Sequence, residues 1–296
     1  MNTDSLLSIL MLTCNDAKYL EGCLGSIKEN VSSPFEVILV DNGSSERVNK
    51  DIEAKYPWLR VIRSERNLGF NAGNNLAAKN ARGDYLLLLN IDTLLLSDVA
   101  PAIRLLESDA RVGAVGAEAY DSNRRRRPSA GHFPKPYRLW LFKSLWMKPK
   151  DPYGPPQAKA FRVDWVEGSF LMTRRSNWEE IGGFEERYFL FGNDLHYCRS
   201  LVERGLVVVQ SGAVRYVHFC GFGVGRLGNL YAGFREYHKK YSSKAEQKRA
   251  DLVLRLGLLA RIGFYGIRYG LTGNTAMGEK FRKFTEVRRN WGHLRP

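Results

Sequence analysis

Residues 84–92 read Asp84-Tyr85-Leu86-Leu87-Leu88-Leu89-Asn90-Ile91-Asp92. A short, unbroken apolar run closed by polar residues is the pattern of a strand buried on both faces, which delivers Asn90 and Asp92 to its own tip. Toward the N-terminus the same pattern repeats in alternation with helical segments. Ser8–Thr13 reads as a strand, followed by a loop at Cys14-Asn15-Asp16 and a helix to about Lys28. Phe35–Val40 is a second strand, ending in the turn-rich Asp41-Asn42-Gly43-Ser44-Ser45. A helix across 46–56, a third strand at Leu59–Arg63 and a helix over Asn71–Ala81 lead into the leucine run, and Val112–Gly116 supplies a fifth strand. Strands and helices alternating at this spacing imply an α/β fold with a mostly parallel, doubly wound sheet. Ligands of such sheets bind beyond the carboxyl ends of the strands, and Asp41, Asn67 and Asp92 each fall just past one.

Beyond residue 120 the pattern breaks. Arg124-Arg125-Arg126-Arg127-Pro128 opens an extended excursion to about 160, with one amphipathic piece at Tyr137–Lys148. Regular structure resumes with a strand over Phe161–Thr173, then helices at Asn177–Ile181 and Leu195–Arg204; from about 226 the chain is basic and helical. These shifts divide the 296 residues into a domain over 1–225 and a basic helical extension over 226–296.

Apolar residues make up 44% of the chain and aromatic ones 12%, which excludes a disordered protein. The net charge of +14 is regional. Acidic side chains outnumber basic ones by four in 1–120, whereas basic ones lead by nine in 121–175 and by eleven in 226–296. The acidic front segment and the lack of any recognisable module argue against a nucleic-acid-binding protein. Cys14, Cys23, Cys198 and Cys220 have no metal or disulfide spacing, and no apolar run reaches the ~18 residues of a spanning helix. Without a signal-like start as well, a cytoplasmic location is expected.

Several residues carry candidate chemistry. Asp92 is suited to hold a hard divalent cation against a diphosphate, or else to form an Asx turn or cap a helix over 93–106. Asp41 can accept from a nucleobase or ribose, or hold a turn. Arg66-Asn67-Leu68-Gly69-Phe70-Asn71-Ala72-Gly73-Asn74-Asn75 places glycines before a helix, where backbone N–H groups approach phosphate, and adds amides suited to sugar hydroxyls. Asp194, in Phe191-Gly192-Asn193-Asp194-Leu195-His196, is a candidate general base or a helix N-cap. His218, before the glycine-rich 219–225, is a candidate metal or diphosphate contact, or an ordinary structural histidine.

In their order along roughly 6–225, these pieces resemble the family 2 glycosyltransferases of the GT-A (nucleotide-diphospho-sugar transferase) fold. The resemblance is carried by Ser8–Asn15, Val40–Ser44, Arg66–Asn75, Asn90-Ile91-Asp92, Asp164-Trp165-Val166-Glu167-Gly168, Gly182–Glu186 and the segment 188–199. The asparagine- and glycine-rich turn looks most like bacterial rhamnosyltransferases that use dTDP-rhamnose. The resemblance implies a donor site built from Thr13, Asn15, Asp41, Arg66, Asn67, Gly69, Asn74, Asn75 and Asn90. It implies Asp92 and His218 as ligands of Mg²⁺ or Mn²⁺, Trp165 and Gly168 beside the acceptor, and Asp194 as the base of an inverting transfer. One departure stands out: the family usually has Glu-Asp-x-Asp where this chain has Asn193-Asp194-Leu195-His196. Loss of two neighbouring acids is expected to ease ionisation of Asp194.

The implied partners are a nucleotide-sugar donor, with a dTDP-sugar favoured, and a glycan or polyprenyl-diphosphate-linked acceptor of cell-surface polysaccharide synthesis. Leu252–Leu271, interrupted by Arg255, Arg261 and Arg268 over a wide arc, reads as an interfacial helix at an anionic membrane surface. Tyr137–Lys150 is a second candidate contact, and both segments read alternatively as ordinary amphipathic helices. These features predict peripheral attachment to the inner face of the cell membrane. A non-catalytic nucleotide-sugar or carbohydrate-binding protein of the same fold is the alternative to an enzyme.

Overall fold

The computed structural model describes residues 6–46, 48, 51–136, 152–153, 159–187, 192–219 and 227–294. Its chain forms two units, one of residues 1–132, 147–189 and 193–219, the other of 133–146, 190–192 and 220–296.

In the first unit, the apolar runs become the inner strands. β1 (Leu7–Thr13) lies between β2 (Phe35–Asn42) and β4 (Tyr85–Leu89), parallel to both, and β2 pairs in parallel with β3 (Leu59–Ser64). Every residue of β4 is buried, which explains why its sequence shows no alternation. Helices α1 (Leu20–Asn30), α2 (Asp51–Lys55) and α3 (Gly69–Lys79) make the crossovers. The register sets Thr13 opposite Asp41 and Asp41 opposite Arg63, so the carboxyl ends of the three strands form one edge.

Past β4 the sheet turns mixed. β12 (Phe170–Arg174) runs antiparallel between β4 and β6 (Val112–Tyr120), and β6 pairs in parallel with β13 (Val207–His218). The sheet order is β3-β2-β1-β4-β12-β6-β13-β10-β9, with β9 at Pro152–Tyr153 and β10 at Ala160–Val163. The α/β architecture with a parallel, doubly wound core therefore stands, and its second half is less parallel than the alternation of strands and helices suggests. A short strand β5 (Thr93–Leu95) pairs antiparallel with β13, and helix α4 begins only at Ala100 and runs to Ser108. The alternative of a helix over 93–106 is thus overturned, because residues 93–95 are claimed by the edge of β13.

Two further expectations change. The stretch Phe161–Thr173 is three strands, since β10 joins the main sheet while β11 (Trp165–Val166) pairs with β8 (Ala130–Gly131) in a separate two-stranded sheet. A two-residue β7 (Arg126–Arg127) pairs with the end of β6. Helices α5 (Arg175–Ile181) and α6 (Asn193–Glu203) complete the unit. Of the helix expected across 46–56, the described residues show only α2. The amphipathic piece at Tyr137–Lys150 lies outside the described residues.

The second unit contains α7 (Leu227–Tyr241), α8 (Lys244–Thr272) and α9 (Thr275–Arg289). A capping box starts α8, with Glu246 N donating to Ser243 Oγ and Ser243 N donating to Glu246. Gly273, at φ +62°, ends it. The α8–α9 hairpin closes through small residues: Phe281 packs over Gly266, Tyr269 packs over Gly278, and Tyr265 stacks on Phe284 with centroids 5.5 Å apart. Ala250, Leu254, Gly257 and Leu258 form the buried side of α8, while Leu252, Leu256, Leu259, Phe264, Ile267, Tyr269 and Leu271 are exposed. At 100° per residue all of these but Tyr269 occupy an arc of roughly 140°. Arg255, Arg261 and Arg268 all fall outside that arc, so the helix carries one continuous apolar face, with Tyr269 set apart from it among the polar positions. No helix among the described residues is long and apolar enough to cross a membrane.

Candidate functional site

At the tips of β1 and β2 the polar side chains tie three loops together. Asp41 is fully buried; its Oδ1 accepts from Ser44 N at 3.2 Å and its Oδ2 from Val48 N at 3.2 Å. Asn15, in the left-handed region at φ +61°, accepts from Ser45 N at 2.8 Å and from Ser45 Oγ at 2.9 Å. Asn42 binds the next loop, donating to Asn67 Oδ1 and Gly69 O at 3.1 Å each and accepting from Leu68 N at 2.9 Å. Asn67 also accepts from Gly69 N at 2.8 Å and donates to the Cys14 thiol at 3.3 Å. Arg66 stands exposed beside it. Amid this bonding, Thr13 Oγ1 is buried with no hydrogen-bond partner in the structure. An orphaned hydroxyl at a strand tip suits a polar ligand, since burying one unpaired is costly.

Asn74 and Asn75 depart from the expected donor contacts. Asn74 Nδ2 donates to Phe70 O at 2.8 Å within its own helix. Asn75 bonds Phe184 through both its amide oxygen and nitrogen, and reaches Glu186 at 3.0 Å. Asn71 donates to Glu185 O at 2.8 Å. The amide density of this helix therefore fastens the segment 184–186 to α3, and it is the preceding loop, 66–69, that faces the strand tips.

The second cluster forms where β4, β5, β12 and β13 meet. Antiparallel pairing puts Phe170 opposite Leu89, and the half-buried Asn90 donates through its N to Ser169 O at 3.2 Å, next in sequence to Gly168. Pairing of His218 with Thr93, with Phe219 N donating to Asp92 O at 2.9 Å, brings the imidazole to Asp92. His218 Nε2 lies 3.2 Å from Asp92 Oδ2. On its other side, His218 Nδ1 is 2.6 Å from Arg127 Nη1, and Arg127 Nη2 grips Glu167 at 2.7 and 3.0 Å. Tyr216 closes the cluster, its hydroxyl 3.5 Å from Glu167 and 2.7 Å from Ser169 Oγ.

Asp194 opens α6. Its Oδ1 accepts from Leu195 N at 2.8 Å and its Oδ2 from Gly168 N at 3.3 Å. Burial raises its pKa from the ordinary 3.8 to about 6, and the Glu167 charge pushes the same way against those backbone bonds. The expected easier ionisation is therefore overturned. Two acids are absent from its own helix, but Glu167 stands close by and partial burial disfavours the charged form. Asn193 and His196, at the positions that depart from the family's pattern, are both buried. Trp165 also departs from expectation: it is only 5% exposed, and its indole N–H donates to His132 O at 3.0 Å. Gly168 itself adjoins Asp194, Asn193 and Phe70.

Two residues of this centre escaped the sequence reading. Glu167 lay inside the quoted 164–168 motif, in the shadow of the tryptophan. Arg127 looked like one more charge in a basic run, yet alternation along β7 turns Arg126 outward to Glu118 and Arg127 inward. For a divalent cation, the available donors are the Asp92 carboxylate and, beside it, Nε2 of His218. No group of three ligating side chains occurs among the described residues. The remaining positions suit diphosphate oxygens and water, as hard cations accept.

A model of the family described as glycosyl transferase family 2 matches residues 8–170. The chain belongs to glycosyl transferase family 2. It is 26% identical over 247 residues to an N-acetylglucosaminyl-diphospho-decaprenol L-rhamnosyltransferase of Mycobacterium tuberculosis H37Rv, covering 75% of this chain and 78% of that protein. It is 25% identical over 217 residues to the rhamnosyltransferase WbbL of Escherichia coli K12, covering 67% and 79%. Among solved structures, the mannosyltransferase PcManGT of Pyrobaculum calidifontis, in complex with GDP-Man and Mn²⁺, aligns over 95% of this chain and 84% of its own, with TM-score 0.58 and 16% identity. GalNAc-T7 with UDP, GalNAc and Mn²⁺ aligns over 74% of this chain and 44% of its own, also at TM-score 0.58 and 16% identity. These likenesses establish the GT-A fold. The glycosyl transferase family 2 match holds the donor loops and Asp92, and it ends before Asp194 and His218, whose place rests on the geometry above.

Proposed function

We propose that this glycosyltransferase is an inverting, cation-assisted enzyme that moves L-rhamnose from dTDP-rhamnose onto a hydroxyl of a lipid-diphosphate-linked saccharide. The carrying observation is the half-buried Asp194 carboxylate, held by Gly168 N one residue from the Glu167–Arg127–His218–Asp92 chain. A base with a pKa about 6 is mostly ionised at neutral pH and still basic enough to take a proton.

In this reading, Asp194 accepts the proton of the acceptor hydroxyl. The acceptor oxygen then forms its bond to the anomeric carbon on the face opposite the diphosphate, and the bond from that carbon to the diphosphate oxygen breaks with its electron pair. When bound, Mg²⁺ or Mn²⁺ would offset the charge gathering on the diphosphate, with Asp92 holding it and His218 alongside. The loops of Thr13, Asn15, Asp41, Arg66 and Asn67 would take the nucleotide, and Gly69 and Asn90 would line the approach to the sugar. The rhamnosyl group is supported by the likeness to both rhamnosyltransferases, and the lipid-linked acceptor by the likeness to the Mycobacterium tuberculosis one. The exposed apolar face of α8 supports an anionic membrane surface as the place of work.

A panel of dTDP-, UDP- and GDP-sugars, each with and without Mg²⁺, tests the donor. Transfer is expected from dTDP-rhamnose only with the cation, and preference for another nucleotide would reject the donor assignment. Asp194→Asn is expected to cut transfer by about 10²–10⁴-fold while nucleotide affinity stays within about threefold. Nucleotide binding by the unaltered protein without any transfer would mark a non-catalytic binder instead.

A further inference from the structure

Arg127 is a donor through all its nitrogens and accepts nothing. Its Nη1 lies 2.6 Å from His218 Nδ1, so that ring nitrogen must present its lone pair to the guanidinium. A neutral imidazole then carries its one proton on Nε2, the nitrogen 3.2 Å from Asp92 Oδ2. A histidine in this state offers a hydrogen-bond donor at the site and has no lone pair left for a cation. The arrangement is held from behind, because Glu167 fixes the far end of the same guanidinium with bonds of 2.7 and 3.0 Å. Arg127 and Glu167 are both largely buried, with side chains 19% and 17% exposed, so water competes weakly for either. Without the arginine, Glu167 Oε1 is 3.7 Å from His218 Nδ1, placed to accept an Nδ1–H. That alternative is the carboxylate–histidine–metal arrangement, in which Nε2 becomes a ligand. Arg127 is wedged between its two halves.

We infer that Arg127 is a positioning residue that keeps His218 as the Nε2–H tautomer, so that His218 donates a hydrogen bond to Asp92 and the leaving diphosphate while Asp92 alone serves as the protein ligand of the divalent cation. The inference rests on the cation-assisted reading above for its second half; the tautomer itself does not.

Two measurements on the full chain decide it. In ¹⁵N-histidine-labelled, metal-free protein, long-range ¹H–¹⁵N correlation should show His218 protonated at Nε2. Arg127→Lys should keep that signature, as another donor-only cation, and Arg127→Met should move the proton to Nδ1. An Nδ1–H tautomer in the unaltered protein would overturn the inference, and needs no variant to be seen. Mn²⁺ affinity in the presence of dTDP is the second readout. Asp92→Asn should lose about tenfold or more, and His218→Ala should stay within about twofold. Arg127→Met should gain up to about tenfold. Removing a positive charge would by itself favour the cation, so the gain must vanish in Arg127→Met/His218→Ala; persistence there would assign it to charge and overturn the ligand half. A tenfold loss in His218→Ala alone would overturn it too. Failure of Asp92→Asn to alter Mn²⁺ binding would reject the cation site of the proposed function, while the tautomer signal still judges the role of Arg127.

Discussion

Asp194 illustrates how a single side chain can be a cost to folding and an asset to chemistry. Its pKa is raised in the folded protein, from 3.8 to about 6, chiefly by burial. The folded state therefore holds this proton more tightly than the unfolded chain does. The stability linked to the group is complete below about pH 4, falls as the pH climbs, and is gone once the pH has passed about 6. A shift of this size corresponds to about 3 kcal/mol. Asp194→Asn cannot ionise, so the variant is expected to gain thermal stability relative to the unaltered protein as the pH rises from 4 to 7, with the gap constant above 7. Melting curves of the two proteins at unit pH intervals check this. A gap independent of pH would mean that Asp194 is better solvated than its position under Gly168 implies.

At the scale of elements, the donor side depends on how closely two loops approach. Gly43 follows β2 with φ +72°, and a Cβ there would meet the backbone of Arg66 and Asn67 at 2.5–2.6 Å. Neither the left-handed backbone nor the contact can be relieved by rotating a side chain. Gly43→Ala is thus expected to push the 66–69 loop away from Asn42 and weaken dTDP binding about tenfold, while a protein that still melts cooperatively retains its sheet; titration calorimetry reads the change. This loop pair also shows what a sequence can and cannot disclose. β1, β2, β4 and the tips bearing Asp41, Asn67 and Asp92 were legible because buried parallel strands announce themselves as apolar runs, and turn residues mark their ends. The amides of α3 were misread because composition says that they bond and not to what. Only the fold reveals that Asn75 spends both ends of its amide on Phe184. Glu167, just past the two-residue β11, meets Arg127 of the two-residue β7 across 40 positions of sequence, and Arg127 meets His218 of β13 across 91. No local pattern carries such a contact.

For the whole molecule, the excess of basic residues acquires a direction when set beside the exposed apolar side chains. The 226–296 stretch supplies most of the net charge, and α8 within it displays apolar residues outward, with Ile267 65% and Leu271 81% exposed. An arc of six large apolar side chains facing water has no folding rationale of its own, because the same helix already buries Leu254 and Leu258 on its other side. Lys248, Arg255 and Arg268 flank that arc on the same helix and Arg249 lies in line with it just before Leu252, where anionic headgroups would meet them. Apolar insertion and charge are expected to act together, and each can be removed separately. Flotation with vesicles containing phosphatidylglycerol should recover the protein at physiological salt, and purely zwitterionic vesicles should recover much less. Leu256→Glu/Ile267→Glu replaces two exposed side chains, so it should leave the melting temperature within about 2 °C; each buried apolar side chain otherwise contributes up to about 1.5–3 kcal/mol, and binding should fall at least about tenfold. Undiminished flotation of this variant would remove α8 as the membrane face, and failure of the unaltered protein to bind anionic vesicles would remove the membrane from the proposal while leaving the sugar-transfer site as it stands.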